Sequence, residues 1–156
     1  MALLAVLALA GCGSSAPTKA QYVAKADAIC ATESAKTAPL IREVTVAASA
    51  LGTGSANGVP KLASAVSELH DVTATYLAQL QKLEQPSGDH AAIERFLTPF
   101  AGVESAIGQA ATALHAGQAQ KAVGLLVKVQ PTAARATSGA REYGLAQCAT
   151  VLAALG

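Results

Sequence analysis

Aromatic residues and charge are both scarce in this sequence. Phenylalanine, tyrosine and tryptophan together make up 3% of the chain, and tryptophan is absent. Eleven lysines and arginines nearly balance ten acidic residues, which gives a formal net charge of +1. No block of one sign is present, so nucleic acid is not expected as a partner. The length of 156 residues suits a single domain.

Motifs for catalysis, haem attachment and metal binding are also missing. The sequence contains no Gly-x-Ser-x-Gly nucleophile elbow, no Cys-x-x-Cys-His and no His-Glu-x-x-His. The segment Gly52-Thr53-Gly54 lacks the Gly-Lys-Ser/Thr ending of a phosphate loop and is interpreted as a helix connection. We therefore expect no enzyme activity, no cofactor and no catalytic residue.

The three histidines are the remaining candidates for metal binding. His70 lies beside the apolar stripe of its helix and is interpreted as solvated, while His90 follows a helix cap and His115 lies in a last helical turn, where a cation complements the helix dipole. His90 and Glu94 are four residues apart and could share a helix face, but two ligands do not make a site. We expect no metal.

What the sequence has in abundance is aliphatic residues. Hydrophobic residues reach 52%, and alanine dominates them. Alanine is the best helix former and is depleted in strands, so the composition favours an all-α fold. Apolar residues recur at alternating spacings of three and four in four successive segments, as expected for amphipathic helices.

The four segments have clear boundaries. Helix 1 begins at the capping box Thr18-Lys19-Ala20-Gln21 and ends at Gly52, helix 2 runs from about Val59 to Gln85, helix 3 follows the cap Asp89 to about Ala116, and helix 4 covers Gln118 to about Leu155. Pro39 and Pro99 predict bends in helices 1 and 3, and Pro131 predicts a kink or split in helix 4. The short connections predict an up-down-up-down four-helix bundle over residues 19–156.

The N-terminus carries an export signal. Met1 to Cys12 contains no charged side chain and is too short to span a bilayer, which needs about 20 apolar residues. Leu9-Ala10-Gly11-Cys12 resembles the lipobox of bacterial lipoproteins. The resemblance implies that residues 1–11 are a removed signal peptide, that Cys12 is acylated, and that residues 12–18 tether the domain to the outer face of the cell membrane.

Two other readings of this segment remain open. Ala8-Leu9-Ala10 also fits an ordinary secretory signal, which would release a protein beginning at Gly11. Alternatively, Cys12 is a buried, unmodified thiol. The positively charged region that precedes most signals is missing, which leaves open a start codon upstream of Met1.

Cysteine parity supports export. If lipid occupies Cys12, then Cys30 and Cys148 remain as a pair in an oxidising compartment and are expected to form a disulfide between the first and last helices. Two separate buried thiols are the alternative. The two cysteines fall at similar levels of an antiparallel bundle, and Gly144, one turn before Cys148, is expected to allow the close helix approach that a disulfide needs.

The surroundings of these cysteines also carry a resemblance. Asp27-x-x-Cys30 and Tyr143-Gly144-Leu145-x-x-Cys148 resemble a recurrent pattern in small helical lipoproteins of high-GC bacteria. The resemblance implies an exported helical module with its first and last helices cross-linked, and it implies no activity. Tyr143 and Gly144 are predicted at the contact between helices 1 and 4. Glu33 interrupts the apolar stripe of helix 1 and is expected to pair with Arg141 or Tyr143 across that contact.

The sequence thus favours a lipid-anchored, non-catalytic helical module of the cell envelope that acts through protein contacts or as a scaffold. Its expected partners are the membrane, through the lipid on Cys12, and an envelope protein. A carrier of a small apolar ligand is the alternative, because kinks at Pro39, Pro99 and Pro131 could splay the helices. A metal-binding protein or an enzyme is a more remote alternative.

Overall fold

The computed structural model describes residues 16–52 and 57–156. This part of the chain is all-helical and contains no strand. Its helices are α1 Lys19–Gly52, α2 Gly58–Gln81, α3 His90–His115, α4 Ala119–Val127, α5 Val129–Tyr143 and α6 Ala146–Ala154. The all-α prediction is confirmed, whereas the fourth predicted helix consists of three.

The start of α1 is fixed by the predicted capping box. The Gln21 backbone N–H donates to Thr18 Oγ1 at 3.3 Å, and the Thr18 N–H donates to Gln21 Oε1 at 2.8 Å. These reciprocal bonds satisfy two backbone donors that a helix start otherwise leaves unpaired. The helix then continues through Pro39 to Gly52 as a single element, as predicted. Helix α3 likewise continues through Pro99.

Helices α1, α2 and α3 pack as successive antiparallel neighbours. The start of α2 meets the end of α1 at Gly58 and Leu51, and its later part meets the first half of α1 at Tyr76 and Cys30. Helix α2 ends at Gln81, four residues before the predicted end, because Gln85 precedes Pro86 and the residue before a proline disfavours helical geometry.

The break between α4 and α5 is a consequence of Pro131. The proline lacks an N–H, and its ring would clash with the carbonyl four residues earlier, which belongs to Val127. Helix α4 ends at Val127, and α5 begins at Val129, so that Pro131 falls in the first turn of α5, where no N–H is needed. The predicted split therefore occurs, but three residues before the proline itself.

Helices α5 and α3 approach each other closely at Gly139. A Cβ added to Gly139 would lie 2.6 Å from the backbone carbonyl oxygen of Arg95, so only glycine lets α5 pack this closely against α3. The sequence assigned such a role to Gly144, and that assignment is wrong. Gly144 is exposed, and a Cβ added there would meet no atom within 4 Å.

Helix α6 folds back along α5 and also packs against α1. The end of the chain at Gly156 lies beside Gln130 and Ala133 in the first turns of α5, so the two helices are antiparallel. Helix α6 therefore joins α5 to α1, where the sequence predicted direct packing of helix 4 on helix 1. The core enclosed by these helices contains the fully buried side chains Tyr76, Phe96, Phe100, Leu62, Leu80 and Ile93.

Candidate functional site

The predicted disulfide is present. Cys30 in α1 and Cys148 in α6 are bonded, with their Cα atoms 4.9 Å apart and a sequence separation of 118. Both residues are fully buried. The bond therefore joins the first helix to the last, as predicted, but Cys148 belongs to the short helix α6 and not to a continuous helix 4.

The turn between α5 and α6 brings Cys148 to this position. Gly144 has φ +101°, the left-handed conformation that favours glycine, and it follows the last residue of α5. The Leu145 N–H donates to the Ala140 carbonyl at 2.8 Å, and the Gly144 N–H donates to the Arg141 carbonyl at 3.0 Å. This is a Schellman motif, which ends a helix and redirects the chain. Gly144 thus acts through its backbone conformation.

Asp27, which lies in α1, caps the start of α6. Its Oδ1 accepts the N–H of Gln147 at 3.0 Å and the N–H of Cys148 at 3.2 Å. Leu145 occupies the residue before α6 and has no side-chain acceptor, so the first turn of α6 has no cap of its own. Asp27 and Cys30 share a face of α1 because they are three residues apart. The Asp27-x-x-Cys30 pattern therefore encodes both a cap and a covalent bond to the same helix.

A buried tyrosine completes this cluster, which we call the clasp (Asp27, Cys30, Tyr76, Cys148). The Tyr76 hydroxyl donates to Cys30 Sγ at 2.8 Å. Burial raises the pKa of Tyr76, and the negative charges of Asp27 and Glu33 raise this pKa further. The phenol consequently stays protonated and remains a donor. Sequence analysis did not single out Tyr76, whose position in the apolar stripe of α2 indicated only a core residue.

A second contact lies beside the start of α1. The Tyr143 ring meets the Tyr22 ring edge-on at 5.8 Å between centroids, and Lys19 Nζ lies 4.4 Å from the Tyr143 centroid. The Tyr143 hydroxyl donates to Asp89 Oδ2 at 2.6 Å. Tyr143 is thus a contact between helices, as predicted. Asp89 precedes α3 as predicted, but its side chain makes no capping hydrogen bond and serves Tyr143 instead.

The tyrosine hydroxyls of this second contact differ in their partners. Burial raises the pKa of Tyr143, and the hydrogen bond to Asp89 and the charge of that carboxylate raise it further. Burial also raises the pKa of Tyr22 to about 12, with a smaller contribution from the Glu94 charge. The Tyr22 hydroxyl is buried and has no hydrogen-bond partner among the described residues. The two rings therefore pack similarly while only one has a satisfied hydroxyl.

Two polar predictions are wrong. Glu33 is 2% exposed and forms an ion pair at 2.8 Å with Lys36 of its own helix, and not with Arg141 or Tyr143. The intervening α6 accounts for the difference, because it packs on the face of α1 that the prediction gave to helix 4. His70 is not simply solvated, since its Nε2 lies 2.8 Å from Glu104 Oε1 of α3.

The other two histidines occupy peripheral positions. His90 Nδ1 lies 2.8 Å from Gln85 Oε1, and His115 Nε2 lies 3.0 Å from Ser67 Oγ of α2. Among residues 16–52 and 57–156, the potential metal ligands that cluster are Asp27, Cys30 and Cys148, whose ligand atoms lie within 4.8 Å of one another. Both sulfurs of this group are consumed by the disulfide, and a thiolate is the form of cysteine that binds metal.

A surface groove lies between the second half of α1 and the first half of α2. It has a volume of about 570 Å³. Its apolar and small lining residues are Pro39, Val46, Ala47, Ala50, Ser64 and Ala65, and its charged lining residues are Arg42, Glu43, Lys61 and Glu68. Val46 is 70% exposed. We call this surface the α1–α2 groove.

The residues predicted for lipidation, Leu9, Ala10, Gly11 and Cys12, lie outside the described residues. None of the described helices is long and apolar enough to cross a membrane. The disulfide is compatible with a location outside the cytoplasm.

No protein-family model matches this chain, and neither a curated protein nor a solved structure matches it.

Proposed function

We propose that this protein is a lipid-anchored, non-catalytic helical module of the bacterial cell envelope that acts through protein contacts or as a scaffold. The observation that supports this most is the Cys30–Cys148 disulfide. The chain has three cysteines, so the disulfide leaves Cys12 as the unpaired one. An unpaired cysteine at the end of an apolar segment is what lipid attachment requires.

The position of the fold relative to Cys12 supports the same proposal. The capping box starts the first helix at Lys19, so about six residues separate the lipidated cysteine from the folded domain. Fully extended, six residues reach about 20 Å. The module would therefore stand close to the membrane surface, with the contact of Tyr22 and Tyr143 nearest to it.

We also propose a bundle arrangement for the module. Helices α4 and α5 together take the place of a fourth helix, antiparallel to α3, in an up-down-up-down bundle. Helix α6 is then an additional element that fills the space between α5 and α1. The contacts of α3 with both α4 and α5, and of α6 with both α1 and α5, support this arrangement.

The anchor is tested on the mature N-terminus. Full-length protein is expressed in a bacterial host, and the mass of its N-terminal peptide is measured. We expect a peptide that begins at Cys12 and carries acyl groups, and membrane association that is lost in a Cys12→Ser variant. An unmodified peptide that begins at Gly11 would show that the protein is secreted and not anchored.

A carrier of a small apolar ligand remains the second candidate, because the α1–α2 groove exceeds the roughly 300 Å³ at which ligand sites begin. Its position on the surface differs from the expected site between splayed helices. Saturable fluorescence enhancement of the apolar probe 1-anilinonaphthalene-8-sulfonate, abolished by Val46→Asp, would favour a carrier. No enhancement would remove this candidate.

A further inference from the structure

The α1–α2 groove is an open surface feature whose apolar lining is not covered by any other described helix. Val46 is 70% exposed beside it, whereas the apolar residues that form the clasp side of α1 are buried. Three of its lining residues, Ala47, Ser64 and Ala65, are small enough to let another helix approach closely. An exposed valine next to small residues forms a surface on which another helix can pack.

The charges that line the groove are balanced in sign. Arg42 and Lys61 are positive, and Glu43 and Glu68 are negative. Among the described residues, none of these four side chains forms an ion pair. Glu68 accepts only a hydrogen bond, from Ser64 of its own helix, at 3.3 Å. The groove therefore offers two unpaired charges of each sign to whatever covers it.

The spatial order of these charges limits the choice of partner. Lys61 and Glu68 lie on one face of α2, seven residues and about 10 Å apart. Because α1 and α2 are antiparallel, with Leu51 beside Gly58 and Cys30 beside Tyr76, Arg42 and Glu43 lie at levels between those two residues. One end of the groove thus carries the positive charge of Lys61, and the other end carries the negative charge of Glu68.

The two end charges, Lys61 and Glu68, form a pair that is complementary to itself. A two-fold axis across the groove, at the level of Ser64, places Lys61 of each copy opposite Glu68 of the other. A single anionic or cationic amphiphile could match only one end of the groove and would leave the opposite charge unpaired. A second copy of the chain matches both ends, and its Val46 would cover apolar surface of the first.

We infer that the α1–α2 groove is the interface of a two-fold symmetric dimer, in which Lys61 of each chain pairs with Glu68 of the other. This inference names a partner for the proposed envelope module and rests on that function only for its setting. Residues 39–50 of α1 span only about 17 Å, so the interface is small and the dimer is weak in solution. Anchoring on one membrane raises the effective concentration of the copies and strengthens the dimer.

Cysteine cross-linking tests the position of the axis. A residue on a two-fold axis lies next to its own counterpart, so Ser64→Cys in the full chain should form a disulfide-linked dimer under mild oxidation in isolated membranes. Thr75→Cys is the matched control, because Thr75 is also exposed on α2 but does not line the groove. We expect at least about tenfold less dimer from Thr75→Cys. Equal dimer from both variants, or none from Ser64→Cys, would overturn the inference.

A charge exchange tests the pairing. In the Ser64→Cys background, Lys61→Glu or Glu68→Lys alone should reduce cross-linking about tenfold, since each places like charges opposite one another. The double exchange restores opposite charges and should return cross-linking to within about twofold of the parent. Reduction that persists in the double exchange would contradict the pairing.

The outcomes separate the interface from the anchor. The cross-linking is repeated with detergent-solubilised protein and with the Cys12→Ser variant. Charge-dependent dimer that persists in the Cys12→Ser variant would support the interface independently of lipidation, while the mass of the parent protein's N-terminal peptide decides the anchor separately. A lipidated protein that gives no specific cross-link would refute the interface and leave the anchor intact.

Discussion

The two halves of α1 are held in different ways. In the half that begins at Lys19, Asp27 caps α6, Cys30 is bonded to α6, and Tyr22 packs on Tyr143. In the half that ends at Gly52, α1 lines an open groove with α2, and Val46 is 70% exposed. The first half of α1 is therefore held in place by α6, whereas the second half leaves an apolar surface exposed. Substitutions in the first half should consequently change stability more than substitutions in the second.

Removal of the disulfide should have the largest effect. In the chain-entropy model, a bond that closes about 118 residues stabilises the fold by about 4–5 kcal/mol. We expect a Cys30→Ala/Cys148→Ala variant to lose approximately this free energy of unfolding in urea titrations, with a Tm lower by about 15 °C. Reduction of the parent protein is the parallel measurement. An unchanged midpoint in both would show that the clasp does not govern stability.

Gly139→Ala should have the next largest effect. The added Cβ would lie 2.6 Å from the Arg95 carbonyl oxygen, and backbone atoms cannot move aside cheaply, so we expect a loss of about 2–3 kcal/mol. Gly124→Ala in α4 is the matched control because a Cβ there meets nothing within 4 Å. It should stabilise the protein by up to about 1 kcal/mol. Thermal unfolding of both variants gives the comparison, and equal effects would refute the close approach.

Removal of the hydroxyl groups of Tyr143 and Tyr22 should change stability by different amounts. Tyr143→Phe removes a hydrogen bond to the Asp89 carboxylate and should cost about 1–2 kcal/mol. Tyr22→Phe removes a buried hydroxyl that has no hydrogen-bond partner in the part of the chain that the structure describes, so it should be neutral or slightly stabilising. Urea unfolding at neutral pH measures both. A larger loss of unfolding free energy for Tyr22→Phe than for Tyr143→Phe would show that the Tyr22 hydroxyl has the stronger hydrogen bond.

Loss of the cap on α6 should cost less. Asp27→Ala leaves the Gln147 and Cys148 N–H groups without their acceptor, for which about 1 kcal/mol is expected. Asp27→Asn keeps an oxygen acceptor and should retain most of that free energy. Amide hydrogen exchange at Gln147 and Cys148 reports the cap directly. Exchange that is unaltered in Asp27→Ala would be inconsistent with it.

The half of α1 that lines the groove should be the least sensitive. Val46→Thr changes a side chain that is 70% exposed, so we expect less than about 0.5 kcal/mol in dilute solution. A loss above 1 kcal/mol at low protein concentration would mean that Val46 supports the monomer and that the contrast between the two halves is false.

Periodicity and capping chemistry predicted much of this fold. The capping box at Thr18, the continuity of α1 through Pro39 and the disulfide partners were all accessible from sequence, because each depends on local geometry or on cysteine parity. The break at Pro131 was foreseen as a kink or split. Its displacement to Lys128 follows from the carbonyl that the proline ring would strike.

Helix α6 was not predicted as a separate helix because the sequence pattern around Gly144 indicated a continuous helix 4. Alanine-rich sequence continues across Gly144, and helix propensity alone does not show that this glycine adopts φ +101°. The cap for α6 comes from Asp27, which is remote in sequence, so no local pattern marks the start of the helix. The apolar Leu145 before α6 was the one local indication of this arrangement. Because Leu145 has no side-chain acceptor, the N–H groups of the first turn need an acceptor from a residue that is remote in sequence.

The disulfide also has a topological consequence for proteolysis. Its two cysteines, separated by 118 positions in sequence, enclose most of the domain in one covalent ring. A protease that cuts once within that ring, for example in the connection between α1 and α2, would leave both fragments joined. The protein would migrate as two pieces on a reducing gel but as one on a non-reducing gel. If Cys12 carries the proposed lipid, a single cleavage within the ring would therefore not release the domain from the membrane.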